Sequence, residues 1–252
     1  MPSLRTAGIR KHLYALLVLA GLGLTVPVAM AAPAFEDSIA QRTLACTACH
    51  GEQGRAGPDG YYPRLAGKPA GYLYNQLLNF RDGRRHYGLM THMVDVLSDG
   101  YLFEIATHFA SLQAPYPPPV PPARPPAPEV LQRGRTLALQ GDAARRLPAC
   151  AECHGRALMG VQPHFPALLG LPADYLTAQL GGWKTGQRQA HAPDCMARIA
   201  QRLSDADAYA VITWLASQPA PADPHPQAAP TRAEPPAPDL RCGSAALPAA
   251  AR

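Results

Sequence analysis

Cys46-Thr47-Ala48-Cys49-His50 and Cys150-Ala151-Glu152-Cys153-His154 repeat one pattern, C-x-x-C-H. Two thiols three residues apart on one helical turn reach the two vinyl groups of a porphyrin. The adjacent His then brings a ring nitrogen under the iron. Cys46, Cys49, Cys150 and Cys153 are therefore read as covalent haem attachment points, with His50 and His154 as proximal iron ligands. Two such pentapeptides in one chain predict two covalently bound haem c groups.

The pentapeptides sit inside a longer duplication. Pro63-Arg64-Leu65-Ala66-Gly67 matches Pro166-Ala167-Leu168-Leu169-Gly170, and Tyr72-Leu73-Tyr74-Asn75-Gln76-Leu77 matches Tyr175-Leu176-Thr177-Ala178-Gln179-Leu180 at the same offset. Phe80 then falls on Trp183, Gly83 on Gly186 and Arg85 on Arg188. Beyond Arg85 the second copy carries extra residues that include Cys195. After that insertion Met90 meets Met196, and Leu97-Ser98-Asp99 meets Leu203-Ser204-Asp205.

Each copy reads as all-α. Helices are expected from about Glu36 to Cys49 and from Glu129 to Gln140, with Pro148 imposing a loop before the second haem motif. Tyr72 to Phe80 and Tyr175 to Trp183 carry apolar residues at helical spacing. The last helix of each copy begins at a serine cap, Ser98 or Ser204, and Asp207 completes a capping-box pattern that Tyr101 does not. Leu102, Ile105, Ala106 and Phe109 form a core stripe, echoed by Ala208, Val211, Ile212 and Leu215. Two tandem domains are expected, over residues 34–113 and 129–218. Between them residues 114–128 are rich in proline and favour a semi-rigid polyproline II spacer. Residues 219–252 form a Pro- and Ala-rich tail with little expected regular structure. With five Phe and two Trp, each half has a thin apolar inventory, and a buried macrocycle would complete its core.

An iron that only relays electrons needs two axial ligands. Met90 and Met196 are the methionines that recur at equivalent positions, each just before a Leu-Ser-Asp helix start, and are the distal candidates. Met93, one turn from Met90, is the alternative; Met159 has no counterpart and reads as packing. His86, His92, His108, His164 and His191 do not recur either and read as surface or satisfied histidines. Cys195 and Cys242 remain. In an oxidising compartment they pair most simply, which would pin the tail to the loop holding Met196 and contribute ~4 kcal/mol by chain entropy. The alternative places a Cys195 thiolate near the second iron, a sign of sulfur chemistry. Arg64, Arg84, Arg85 and Arg188 lie between haem motif and Met, where guanidinium groups could pair with haem propionates.

Residues 1–31 read as a secretory signal. Arg5, Arg10 and Lys11 precede an apolar run that ends at Ala29-Met30-Ala31, with an uncleaved anchor as the alternative. Either way the rest of the chain is expected in the periplasm, with association at a membrane surface open. Removal of the signal lowers the formal charge from +5 to about +2, and four propionates would neutralise it further. No basic stripe interleaved with aromatics argues for nucleic acid.

C-x-x-C-H, Pro-x-Leu-x-Gly, Tyr-Leu-x-x-Gln-Leu, Gly-x-Arg, Met and Leu-Ser-Asp, occurring twice over about Gln41 to Ser217, resemble the di-haem cytochrome c4 family. The resemblance implies two class I cytochrome c domains related by a pseudo-two-fold axis, ligated by His50 with Met90 and by His154 with Met196. It also implies single-electron outer-sphere transfer in a respiratory chain. The donor would be a quinol:cytochrome c reductase, and the acceptor a terminal oxidase or another periplasmic reductase. The competing class is a di-haem enzyme, resembling a thiosulfate dehydrogenase or a peroxidase, with one open or Cys-ligated iron; a haem-based sensor would likewise need an open iron. The Cys195 insertion and the Cys242 tail depart from the family pattern.

Overall fold

The computed structural model describes residues 36–57, 60–229 and 240–248. Chain contacts divide the protein at Glu36/Asp37, and every element below lies in the unit that begins at Asp37. The expected signal segment lies outside the described residues. Among the described residues no helix is long and apolar enough to cross a membrane.

The first copy comprises α1 (Ile39–Arg42), α2 (Leu44–His50), a 3-10 turn (Glu52–Gly54), α3 (Ala70–Arg81), α4 (Gly88–Val94) and α5 (Asp99–Ser111). The expected single helix from Glu36 to Cys49 is broken at Thr43. Its hydroxyl donates back to Ile39 O at 2.8 Å, and its backbone leaves helical geometry. The second copy comprises α6 (Pro128–Leu139), a 3-10 turn (Ala143–Arg145), α7 (Cys150–His154), α8 (Ala173–Thr185), α9 (Cys195–Arg202) and α10 (Asp205–Ser217). Pro128 opens α6 at a first-turn position, where its missing N–H costs nothing. The one sheet among the described residues is a minimal hairpin, β1 (Gly160–Val161) paired antiparallel with β2 (Phe165–Pro166).

Each copy closes its own apolar cluster. Leu102, Ile105, Ala106 and Phe109 are buried with Leu73, Tyr74 and Leu78 of α3. In the second copy Val211, Ile212 and Leu215 are buried with Leu137 and Leu176, whereas Ala208 is only partly covered and Ala210 takes its place inside. Ala210 faces Gly134. A methyl group on Gly134 would lie 2.7 Å from Trp214 Cβ, so glycine sets how closely α6 crosses α10.

Both serine caps form: Ser98 accepts from Tyr101 N and Ser204 from Asp207 N, at 3.3 and 3.1 Å. The capping box does not close in the expected form. Asp207 turns instead to Arg133 of α6 at 2.7 Å, to Arg145, and to the Ser204 hydroxyl at 2.9 Å. Arg133 also reaches Asp142 at 2.8 Å, so one carboxylate fastens three elements of the second copy.

The hydrogen bond from Arg133, with those from Ser204 and Arg145, holds the Asp207 carboxyl at about 2 despite burial. Its folded value lies below the ordinary 3.8, so its contribution is complete above about pH 4 and disappears as pH falls toward 2. Asp207→Asn is expected to lose about 2 kcal/mol at neutral pH and to flatten the decline in stability between pH 4 and 2. Urea unfolding at a series of pH values checks this, and an unchanged acid slope would contradict it.

Candidate functional site: two haem pockets and a basic seam

Each C-x-x-C-H occupies a helical turn, α2 or α7, that ends at a glycine with positive φ, Gly51 or Gly155. His50 and His154 are each 6% exposed. His50 Nδ1 meets Pro63 O at 2.7 Å, and His154 Nδ1 meets Pro166 O at 2.8 Å. A carbonyl only accepts, so Nδ1 carries the proton and Nε2 keeps its lone pair for a metal. Burial lowers both histidine pKa values, which keeps the rings neutral. Pro63 and Pro166 belong to the Pro-x-Leu-x-Gly repeat, which gives that motif its purpose. The four motif cysteines are unpaired, and burial raises the Cys46 and Cys153 thiols and pushes Cys150 up to about 11. Burial thus disfavours the thiolate at Cys46, Cys150 and Cys153, which suits attachment points rather than nucleophiles.

In the second copy, Cys150, Cys153, His154 and Met196 line one cavity with Leu176, Leu180, Ile199 and Val211. Met196 lies in the first turn of α9, so the expected loop is in fact a helix, capped by Asp194 Oδ1 accepting from Ala197 N at 3.0 Å. In the first copy Met90 lies on α4, and Met90 and Cys46 pack against the same cluster. Met93 is 40% exposed, so Met90 is the methionine turned toward the first core. Met159 is 1% exposed and packs in the second core, as expected. Cys195 is bonded to Cys242 across a Cα–Cα distance of 4.9 Å, which removes the thiolate alternative. Among the described residues no three His, Cys, Asp or Glu side chains converge on a metal position.

The copies meet at a seam that carries the recurring arginines. Arg85 and Arg188 pair through their backbones, flanked by His86 N to Gln187 O at 3.0 Å and Gln189 N to Arg84 O at 2.6 Å. Arg85 donates to Gln76 and Gln179, at 3.0 and 2.7 Å. Arg188 also donates to Gln179, and at 3.1 Å to both Gln76 Oε1 and Tyr72 Oη. Gln76 and Gln179 recur in the sequence repeat, but their role is not legible without the partner copy. Two of the four candidate arginines are committed elsewhere. Arg64 donates to the linker carbonyls of Ala114 and Pro115 and stacks on Tyr116 at 3.9 Å. Arg84 holds Asn79 and Asp82, each at 2.7 Å, and contacts His191.

A cytochrome c family model matches residues 131–219. The "Thiosulfate dehydrogenase electron acceptor" of Thiomonas intermedia (strain K12) is 40% identical over 189 residues, covering 75% of this chain and 85% of that protein. Cytochrome c4 of Pseudomonas aeruginosa is 32% identical over 202 residues, covering 79% of this chain and 96% of that protein. The chain belongs to the di-haem cytochrome c4 family. A solved thiosulfate dehydrogenase from Marichromatium purpuratum aligns with TM-score 0.58 and 33% identity over 69% of this chain, although the match spans just 36% of that longer chain. This cytochrome therefore has the mostly-α class I fold, binds two haem c groups covalently, and carries electrons.

The residues fit those haems. Among the described residues, the indole Nε1 of Trp183 is the one buried side-chain polar atom without a hydrogen-bond partner, and it lies at the second cavity beneath Arg188, 3.8 Å from the ring centroid. Lys68 and Arg188 are buried and Arg85 partly so, and no carboxylate of the described residues pairs with them. Burial and the neighbouring Arg188 charge lower Arg85 to about 10. Burial alone would raise the Tyr72 phenol, but Arg188, Lys68 and Arg85 draw it down to about 7. Such a concentration of positive charge and free N–H calls for carboxylates, which haem propionates would supply. A cation near the haem disfavours the more positive ferric state. Arg188→Met is therefore expected to lower at least one haem potential, read by redox titration; potentials that stay or rise would contradict this.

Proposed function

We propose that this cytochrome accepts single electrons from a thiosulfate dehydrogenase in the periplasm and delivers them to a terminal oxidase or another reductase. Cys46, Cys49, Cys150 and Cys153 attach the haems; His50 with Met90 and His154 with Met196 complete two six-coordinate irons. The domains are residues 34–113 and 129–218, and residues 1–31 direct export.

One observation carries this reading over the enzyme alternative. Cys195 is consumed in a disulfide while Met196 lines the same cavity as His154, which supports a thioether rather than a thiolate as the second ligand. A thioether ligand would favour Fe(II) and would fill the position that a sulfur substrate needs. The donor follows from relatives named as thiosulfate dehydrogenase electron acceptors, in Thiomonas intermedia and also in Stutzerimonas stutzeri at 39% identity. Joining two thiosulfate ions through a sulfur–sulfur bond releases two electrons, which two one-electron centres in one chain can take up together. The protein's part is to hold the haems, exclude water and set their potentials.

Mixing the oxidised cytochrome with thiosulfate is expected to leave it oxidised until a catalytic amount of a thiosulfate dehydrogenase is added, after which both haems reduce. Rapid reduction by thiosulfate alone would show an enzyme instead. Met90→Ala and Met196→Ala should each abolish half of the methionine–iron charge-transfer band of the oxidised protein and admit carbon monoxide to one reduced haem. A full band in either variant would overturn that ligand assignment.

A further inference from the structure

The two copies differ in what lies beside their recurring methionines, Met90 and Met196. Leu89 immediately precedes Met90 and is 47% exposed. Its counterpart preceding Met196 is Cys195, which is bonded to Cys242. From that bond the tail runs in both directions along the second pocket. Leu240 is 4% exposed and lines the cavity that contains His154 and Met196. Gly243 N donates to Pro193 O at 2.8 Å, directly before the Asp194 cap of α9. A methyl group on Gly243 would meet the Ala192 carbonyl carbon at 2.5 Å, so the tail lies flush against that turn. Ala245 N then donates to Asn75 Oδ1 of the first copy at 2.9 Å.

We propose that Leu240–Ala245 is a positioning strap for the distal ligand of the second haem: Cys242, acting through Cys195, holds the turn that presents Met196, and Leu240 closes the pocket beside it. The proposal rests on the assignment of Met196 as ligand. A thioether binds iron weakly, so the position of α9 decides how fully the bond forms. The strap fixes that helix at its first residue by a covalent bond, at its leading turn by the Gly243–Pro193 hydrogen bond, and to the other copy by Ala245. Leu240 places hydrocarbon where water would otherwise reach the haem, and a drier surrounding favours the less charged ferrous state. Among the described residues the first copy has no counterpart of the disulfide or of Leu240, and the strap reaches it only at Ala245, so the first haem is the comparison within the same molecule.

The test uses the full-length holoprotein with both haems attached, comparing the parent with Cys242→Ser, Leu240→Ala, Met90→Ala and Met196→Ala. The methionine–iron band is recorded and the two one-electron midpoints are resolved, the methionine variants assigning each to its haem. Cys242→Ser is expected to weaken the band only within the half that Met196→Ala removes, and to let carbon monoxide compete at that haem. Leu240→Ala keeps the disulfide and is expected to lower the second midpoint while leaving the first in place. Should Cys242→Ser fail to fold, Leu240→Ala still decides. The proposal is overturned if folded variants keep the parent's band and midpoints, or if both haems shift alike. A full band in Met196→Ala would instead remove the ligand assignment beneath it, a result separate from failure of the strap alone.

Discussion

Arg85 and Arg188 face each other across the seam with Lys68 nearby, and no carboxylate of the described residues answers their charge. Neighbouring like charges that are partly or wholly buried are costly in a protein interior unless an anion is placed among them. The amides of Gln76 and Gln179 spread that charge by accepting from both arginines, but they do not neutralise it. Haem propionates would, and Arg85, Arg188 and Lys68 are the residues that would hold them. Carboxylates held there would join the two copies through the same cations that now face each other.

The copies carry the same plan with different finishing. The second has a Trp where the first has Phe80, a carboxylate clasp at Asp207 where the first has Tyr101, and a tail bonded to its methionine helix. Gln227 strengthens this difference by pairing with Gly160 and Gln162 and accepting from Arg156 N, just past the second haem motif. The tail is therefore anchored near both the proximal and the distal sides of the second pocket. Among the described residues the first copy has no disulfide to its methionine helix; the tail meets it at Ala245, and Leu89 and Met93 stay exposed. Two chemically alike centres in unlike surroundings are a physical basis for unequal potentials, and hence for direction in electron flow.

Much of this is legible in the sequence because haem attachment demands a fixed spacing and because duplication repeats every constraint. The middle and final helices stand close to where apolar periodicity and serine caps put them. What escapes are features without a local signature. The helices bearing Met90 and Met196 are seven and eight residues long, too short for a clear period. A hairpin of two-residue strands leaves no alternation. The linker contacts of Arg64 escape because its partners, the carbonyls of Ala114 and Pro115, lie some fifty positions away in a segment that reads only as a spacer. The seam escapes for the same reason: a recurring Gln acquires meaning only when its symmetry mate stands opposite.

Electron paramagnetic resonance of the fully oxidised protein, with spins counted against protein, tests the central claim that both irons are saturated by imidazole and thioether. The account predicts two low-spin ferric signals that together integrate to two spins per chain. A substantial high-spin signal, or a low-spin signal of thiolate character, would mean that a substrate or a sulfur ligand can occupy one iron, and would contradict the account.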